Sequence, residues 1–521
     1  MPDQPLLLEL PEQPERPKQG MQTTATTSTA PKLIPVNRDQ AAWVALDVDQ
    51  LIGADHKMRA IWELTGRLSL EEFAAAIESQ EGEAGRPAWS PRVLVSVWLY
   101  AYSEGISSAR EIEREMEYEP GLRWLTGLQV INHHTLSDFR VGHGEALKQL
   151  FVKLLVALER AELVNLERVM HDGTKVRAQC GGSSFRRKAT VEEKLAEARK
   201  LVEEDPQADG EVSPRRKAAQ QRAKREREEK MQQALQEFTK LEATKKSSTE
   251  KEPVRVSMSE PEARRMKHGD GGIAPSYNVQ VSTDAQAGVI VGVEVSQSSD
   301  DASCLGPAMD AVKENMGRYP QQAVSDGGFT NREAIGEMED RQIDFYGSLR
   351  DREECAAAAL KSAGIDEKFG GQFFVLRPES HSMKCPAGKE LGYVRNQHKR
   401  GNEYELYQAQ GSDCQACEHQ KQCCPRSPWK GRSVTRLIQE NGVMVGFREK
   451  MESESAKAIY RQRGEVAEFP FARIKEQFGL RKFRVRGKAK AGVEAVWACL
   501  TYNAMIWIRR IGILQAAGVA A

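Results

Sequence analysis

Three acids stand in settings that suit a metal-dependent phosphoryl-transfer site: Asp172 in V-M-H-D-G-T, Asp326 in A-V-S-D-G-G-F-T-N, and Glu468 in V-A-E-F-P-F-A-R-I-K. Each aspartate closes a short apolar run and precedes a glycine, where a β-strand would deliver a carboxylate to the rim of a sheet. Asp-Gly is also an ordinary turn signal, so either pair alone says little. Glu468 opens a segment in which Lys475 lies about two helical turns further on, near the same face of an unbroken helix. Hard divalent ions take carboxylate oxygens, and two of them about 4 Å apart hold both the attacking and the leaving oxygen of a phosphodiester. The expected chemistry is phosphodiester cleavage or transfer with two Mg²⁺ (or Mn²⁺) ions on Asp172, Asp326 and Glu468. Glu465 competes for the place of the third acid, and Pro470 sets the expected start of the helix near Phe469.

A second group of residues suits zinc. Cys414 and Cys417 form a C-x2-C pair, and Cys385 with either Cys423 or Cys424 would complete four thiolates. Surroundings rich in Pro, Gly and Gln are not expected to build a core, which makes a structural Zn²⁺ the expected staple, with free thiols as the alternative. A catalytic zinc is not expected, because four thiolates close the shell and no H-E-x-x-H motif is present. A third group is basic. Phe471 to Lys490 carries Arg473, Lys475, Arg481, Lys482, Arg484, Arg486, Lys488 and Lys490 against one acid, Glu476, interleaved with Phe471, Phe478 and Phe483. Such a stretch beside an acidic site would neutralise DNA phosphates. The alternative is a solvated, salt-bridged surface.

Elements must bring these groups together. Strands are expected at 166–172, 274–282, 288–295, 322–326 and 344–349, with helices at 302–316 and 331–340. Residues 35–165 read as a helical unit: Ser90 and Pro91 open one helix, Ser108 with Glu111 a second, and Asn132 a third. Both a helix-turn-helix arrangement and an ordinary bundle fit it. Two insertions interrupt the strands. Residues 186–251 are rich in Glu, Lys, Arg and Gln, have no expected strand, and include a long helix from Lys217 to Lys246. Their apolar residues are too sparse for a coiled-coil seam, so a solvated helical hairpin or a disordered arm is expected. Residues 350–454 hold the cysteine cluster. Val493 to Ile513 is an apolar packing helix, and residues 1–34 and 514–521 are expected to be tails.

Bulk properties narrow the class. The chain has 521 residues with 75 basic and 75 acidic side chains, so DNA affinity would come from local patches. Nine cysteines, an odd number, in a chain without an expected signal segment argue for thiols or metal ligands over a disulfide scaffold. No uninterrupted apolar run reaches about 18 residues, so neither a membrane span nor a membrane partner is expected.

With these residues in place, the chain resembles bacterial insertion-sequence transposases of the DDE type. H-D-G-T-K-V at His171 to Val176, P-E-A-R-R-M-K at Pro261 to Lys267, P-S-Y-N-V-Q at Pro275 to Gln280, S-D-G-G-F at Ser325 to Phe329 and V-A-E-F-P-F-A-R-I-K at Val466 to Lys475 carry the resemblance. It implies an α/β protein with a ribonuclease H-like mixed-sheet core over 166–513, interrupted by the helical arm and the cysteine-rich insertion, and preceded by an all-α domain that reads DNA. It implies Asp172, Asp326 and Glu468 as the metal-binding acids of an enzyme that binds terminal inverted repeats as a homodimer, cuts there and joins the ends to target DNA. A nuclease of the same fold without joining, or a non-catalytic DNA-binding protein left by decay, would look alike. No small-molecule substrate is implied, and the expected location is the bacterial cytoplasm, with the nucleoid. Related chains carry Tyr, two residues, Arg, three residues, Glu, six residues, Lys. Tyr460, Arg463, Glu468 and Lys475 match except for a fourth residue between Arg463 and Glu468. The family roles of Tyr460 and Arg463 are contacts to DNA near the cut.

Overall fold

The computed structural model describes residues 45–77, 87–203, 213–244, 254–349, 352–399 and 401–516. The expected tail at 1–34 lies outside these residues, as does the end of the one at 514–521. Its centre is a mixed six-stranded sheet. In chain order its strands are β1 (Arg168–Arg177), β2 (Arg264–Lys267), β3 (Ile273–Asp284), β4 (Ile290–Ser296), β5 (Gln322–Ser325) and β6 (Asp344–Gly347). β1 runs antiparallel to β3 from Val169↔Asp284 to Arg177↔Ser276, and parallel to β5 from Arg168↔Gln322 to His171↔Ser325. β6 extends the sheet in parallel beyond β5, while β2 and β4 share the outer edge of β3. Parallel neighbours need a crossover, and the helices Leu305–Met316 and Arg332–Asp340 provide the two required. Asn331 caps the second by accepting a hydrogen bond from Ala334 N at 2.9 Å.

β1 can sit in the middle because both its faces are apolar where it crosses the sheet. Val169 belongs to the main core, and Met170 packs on the other side with Val324, Tyr346, Ala456 and Ala467. Burial on both faces is what a central strand demands. The main core continues without a break into the N-terminal helices and into the long helix Lys488–Ala516. Trp98 and Trp497 meet with centroids 6.4 Å apart, and Trp497 Nε1 donates to Arg140 O at 3.2 Å. The amide of Asn503 pairs with both the N–H and the C=O of Ile290, which ties this helix to β4. Fully buried Glu494 accepts from Arg484 N and faces Arg140 at 3.7 Å. By length and composition Lys488–Arg510 would suffice to cross a membrane, but 61% of its apolar window is buried inside the fold.

Several expectations are corrected. Ser90 and Ser108 occupy N-cap positions but make no side-chain capping bond, whereas Asn132 does cap its helix through His134 N. The first insertion does form a helical hairpin, Lys188–Glu203 and Pro214–Thr244, but it is not merely solvated. Val191, Leu195, Met231, Ala234 and Phe238 make a small core of their own, and the pair Phe185–Arg186 and Val256–Ser257 closes its base as a short ladder. The cysteine-rich insertion also builds the core that its composition argued against. Five antiparallel strands, β7 (Val375–Arg377), β8 (Ser382–Lys384), β9 (Glu390–Lys399), β10 (Asn402–Ala409) and β11 (Ser433–Gln439), bury Phe374, Met383, Leu391, Tyr407, Ala409 and Val434. Alternation along β9 to β11 supplies the apolar face, and a count of Pro, Gly and Gln misses it.

Candidate active site

The pairing of β1 with β5 sets the site. His171 is opposite Ser325, so continuing the register by one residue brings Asp172 beside Asp326. Parallel strands in register place such side chains on one face. Each carboxylate is oriented by a backbone amide of the following turn: Asp172 Oδ1 accepts from Gly173 N at 2.8 Å and Asp326 Oδ1 from Gly328 N at 2.7 Å.

The third acid comes from a helix, Arg463–Ala472, that begins well before Phe469 and carries Pro470 inside it. This corrects the expected start. The ring costs the helix one N–H donor, and the chain continues after it as a π-helical turn over Arg473–Gln477, the wider winding often found at functional sites. The helix lies against β1 so that the Arg463 guanidinium stands between two acids, 3.5 Å from Asp172 and 3.8 Å from Glu468. The extra residue in the Arg-to-Glu spacing therefore does not remove Arg463 from the site. Glu465 is exposed on the same helix and pairs with neither Arg463 nor Asp172. Tyr460 packs against the small core under β1 and β5, with Met170, Val324 and Tyr346.

Asp172 is largely buried, its side chain 19% exposed. Burial pushes its carboxyl up to about 6, with Asp326 and Asp301 adding to the rise and the Gly173 N–H and Arg463 opposing it. Asp301 is the site's unforeseen member, because S-S-D-D ahead of the Leu305 helix reads as a simple turn. It ends a buried polar chain. Burial pulls His171 down to about 4, which keeps its imidazole neutral at pH 7. Ser282 Oγ lies 2.9 Å from its Nδ1 and Gln280 Oε1 2.9 Å from its Nε2. Gln280 Oε1 can only accept, so Nε2 carries the proton and Nδ1 accepts from Ser282. Gln280 Nε2 and Asn278 Nδ2 then both donate to Asp301 Oδ1, at 3.0 and 2.7 Å.

The basic stretch is divided among several tasks. Lys475 is half-buried, with burial lowering its pKa first, Arg481 next, and Glu476 and Asp172 opposing. Arg473 lies over Phe469 and donates to Gln477. Arg481 is exposed and paired with Glu476, and Lys482 lies beside Arg177 at the end of β1. Arg177, Lys475 and Lys175 all bear on His268, so cations gather at that end of the sheet. Arg484 instead donates to Ser107 Oγ at 3.2 Å, toward the N-terminal helices. Arg486 lines a groove of about 390 Å³ with Arg186, Arg227 and Lys230 of the helical arm.

In the cysteine module Cys385, Cys414, Cys417, Cys423 and Cys424 line one small cavity of about 30 Å³. None is in a disulfide. Backbone amides of Lys389 and Arg432 point at Cys385 Sγ and Cys414 Sγ, at 3.3 and 3.2 Å. Burial holds the Cys423 thiol up at about 11, with Cys424, Cys414 and Cys385 adding to the rise and Arg432 opposing it. Among the described residues, no three His, Cys, Asp or Glu side chains stand in a metal-cage arrangement, either here or at Asp172, Asp326 and Glu468. The donor chemistry nevertheless fits both ions. At the acids, the Arg463 guanidinium supplies the positive charge that a divalent cation would bring.

Comparison with known proteins finds two transposase family models. Residues 384–505 match the family model for the transposase DDE domain, and residues 46–142 match the model named Transposase domain (DUF772). These two matches, each over part of the chain, support a DDE-type transposase. The first match contains Glu468, the cysteine cluster and the basic stretch, while Asp172 and Asp326 lie outside both. No curated protein matches. A solved structure, the cryo-EM piggyBac transposase synaptic complex with hairpin DNA, aligns over 91% of this chain and 76% of that one, with TM-score 0.27 and 9% identity. A likeness that loose carries no argument about the fold.

The raised pKa of Asp172 has a thermodynamic consequence. The folded state favours the protonated carboxyl, so its contribution to stability is full below about pH 4 and is lost as pH rises through about 6. The displacement corresponds to about 3 kcal/mol. In EDTA, Asp172→Asn is expected to match the wild type near pH 4 and to exceed its unfolding free energy by about 3 kcal/mol above pH 7. Urea unfolding across this range reads it, and parallel curves at every pH would contradict the assignment.

Proposed function

We propose that the protein binds the inverted repeats at the ends of its own insertion sequence, cleaves DNA there and joins the released ends to target DNA. The observation that carries this reading is the meeting of three separate segments: Asp172 and Asp326 in register on parallel strands, and Glu468 brought to Asp172 through Arg463. The order β4-β3-β1-β5-β6 across the sheet, antiparallel up to β1 and parallel beyond it, supports a ribonuclease H-like core.

In this reading Asp172, Asp326 and Glu468 hold two Mg²⁺ or Mn²⁺ ions. Bound there, the ions supply the Lewis acidity that makes a water nucleophilic and stabilises the departing 3′ oxygen. The protein's own part is to place the phosphate. Lys475 and Arg473 grip the flanking phosphates, and Arg463, displaced from the acids, turns its guanidinium to the non-bridging oxygens, for which its fork geometry is suited. Arg481 and Lys482, with Arg177 and Lys175, hold the strand beside the site. Base-edge reading falls to the N-terminal helices, where Arg110 and Arg114 are exposed while Arg140 is buried. Both ends must be cut together, so the working form is a homodimer on paired ends. In the cysteine module Cys385, Cys414, Cys417 and Cys423 hold a structural Zn²⁺, and the amides on Cys385 and Cys414 are the hydrogen bonds that thiolates call for.

Asp172→Asn, Asp326→Asn and Glu468→Gln are each expected to reduce cleavage of an end-bearing duplex by about a hundredfold or more, with end binding nearly unchanged. Glu465→Gln should stay close to wild type. A dead Glu465→Gln beside an active Glu468→Gln would reverse the assignment of the third acid. Strand transfer from a pre-cut end separates a transposase from a nuclease of the same fold, which gives no joined product. For zinc, the purified chain should contain about one ion, and Cys417→Ser should lower metal content and stability together, because opening the shell removes local folding energy. A well-folded, zinc-free wild type would contradict the staple.

A further inference from the structure

A fourth carboxylate reaches the end of β1 at the point where Asp172 leaves it. Side chains alternate along the strand, so residue 173 shares the face of His171, opposite that of Asp172. Residue 173 is glycine, and a Cβ there would lie 2.8 Å from Asp301 Oδ1 and 2.5 Å from Gln280 Nε2. The missing side chain is what lets Asp301 rest against the backbone directly after Asp172. The second Asp-Gly turn borders the same residue. A Cβ on Gly328 would meet Asp326 Oδ1 at 2.9 Å and Asp301 Cβ at 3.8 Å.

Asp301 is held there by design of the network. Asn278 and Gln280 both spend their amide hydrogens on its Oδ1, and among the described residues its Oδ2 has no partner. Two buried polar groups nearby are also unsatisfied. Asn278, 1% exposed, leaves its own Oδ1 without a donor beside the Asp301 carboxylate, and the fully buried Ser325 Oγ, next in chain to Asp326, has no partner. Buried groups of this kind are ordinarily paired, and the waters on a bound cation are donors of the sort that the Asn278 oxygen lacks.

We propose that Asp301 is a fourth acid of the divalent-ion site, fixed through Oδ1 by Asn278 and Gln280 and lending Oδ2 to the shell of the ion held by Asp172 and Asp326. This rests on the reading of Asp172, Asp326 and Glu468 as ion-binding acids. A purely structural Asp301 would anchor Gln280 and Asn278 and leave ion affinity alone. The full chain is titrated with Mn²⁺, free ion being read by its electron paramagnetic resonance signal, and folding is followed by thermal melting in EDTA. Asp301→Asn should weaken Mn²⁺ binding about tenfold or more, in the range seen when supporting groups of metal sites are removed. It should melt in EDTA at or above the wild-type temperature, because one of several like charges is gone. Asn278→Ala keeps the acid but removes one tether. It should weaken binding by at least about threefold, and it carries the test if Asp301→Asn does not fold. Mn²⁺ binding that Asp172→Asn abolishes and Asp301→Asn leaves unchanged overturns this proposal alone. Binding that survives Asp172→Asn overturns the underlying reading, and this proposal with it.

Discussion

The arrangement depends on the position of β1 in its sheet. One strand pairs antiparallel with β3 on one side and parallel with β5 on the other. The parallel pairing aligns the two Asp-Gly turns, and two crossover helices make it possible. The antiparallel partner supplies the buried Asn278, Gln280 and Ser282 that support the same strand end from behind. Slipping β1 by one residue against β5 would turn Asp172 to the opposite face and His171 toward the acids. The apolar residues of both faces, Val169 on one side and Met170 on the other, resist that slip.

Charge is the second constraint. Asp326 and Asp301 both act on Asp172 at a partly desolvated strand end, and burial alone already disfavours an ionised Asp172. Carboxylates crowded in this way need a counter-cation or a proton. Arg463 meets part of the need by standing between Asp172 and Glu468. The same guanidinium is well shaped for phosphate, so one residue can balance the acids before DNA arrives and hold DNA afterwards.

The strands that carry Asp172 and Asp326 and the two crossover helices were legible in the sequence, because an apolar run ends at each Asp-Gly, the Leu305 helix is periodic and the Arg332 helix follows an Asn cap. The start of the third helix was not, because Pro470 reads as a helix opener and the structure carries it inside, ahead of a π-turn. The core of the cysteine module was hidden for a different reason. Its strands are separated by Pro and Gly, so composition masked the pattern that buries Leu391, Tyr407 and Val434. Asp301 had no local signature at all. It matters through Gly173, Asn278 and Gln280, which approach it only when the chain is folded.

The central claim is that three distant segments converge on one divalent-ion site, and Fe²⁺ tests it directly. Fe²⁺ takes oxygen ligands much as Mg²⁺ does, and with ascorbate and peroxide it generates hydroxyl radicals that cut the nearest backbone. The account predicts cleavage of the native chain close to Asp172, Asp326 and Glu468 together, suppressed by excess Mg²⁺. Cuts confined to one of these segments, or found only in the cysteine module, would contradict it.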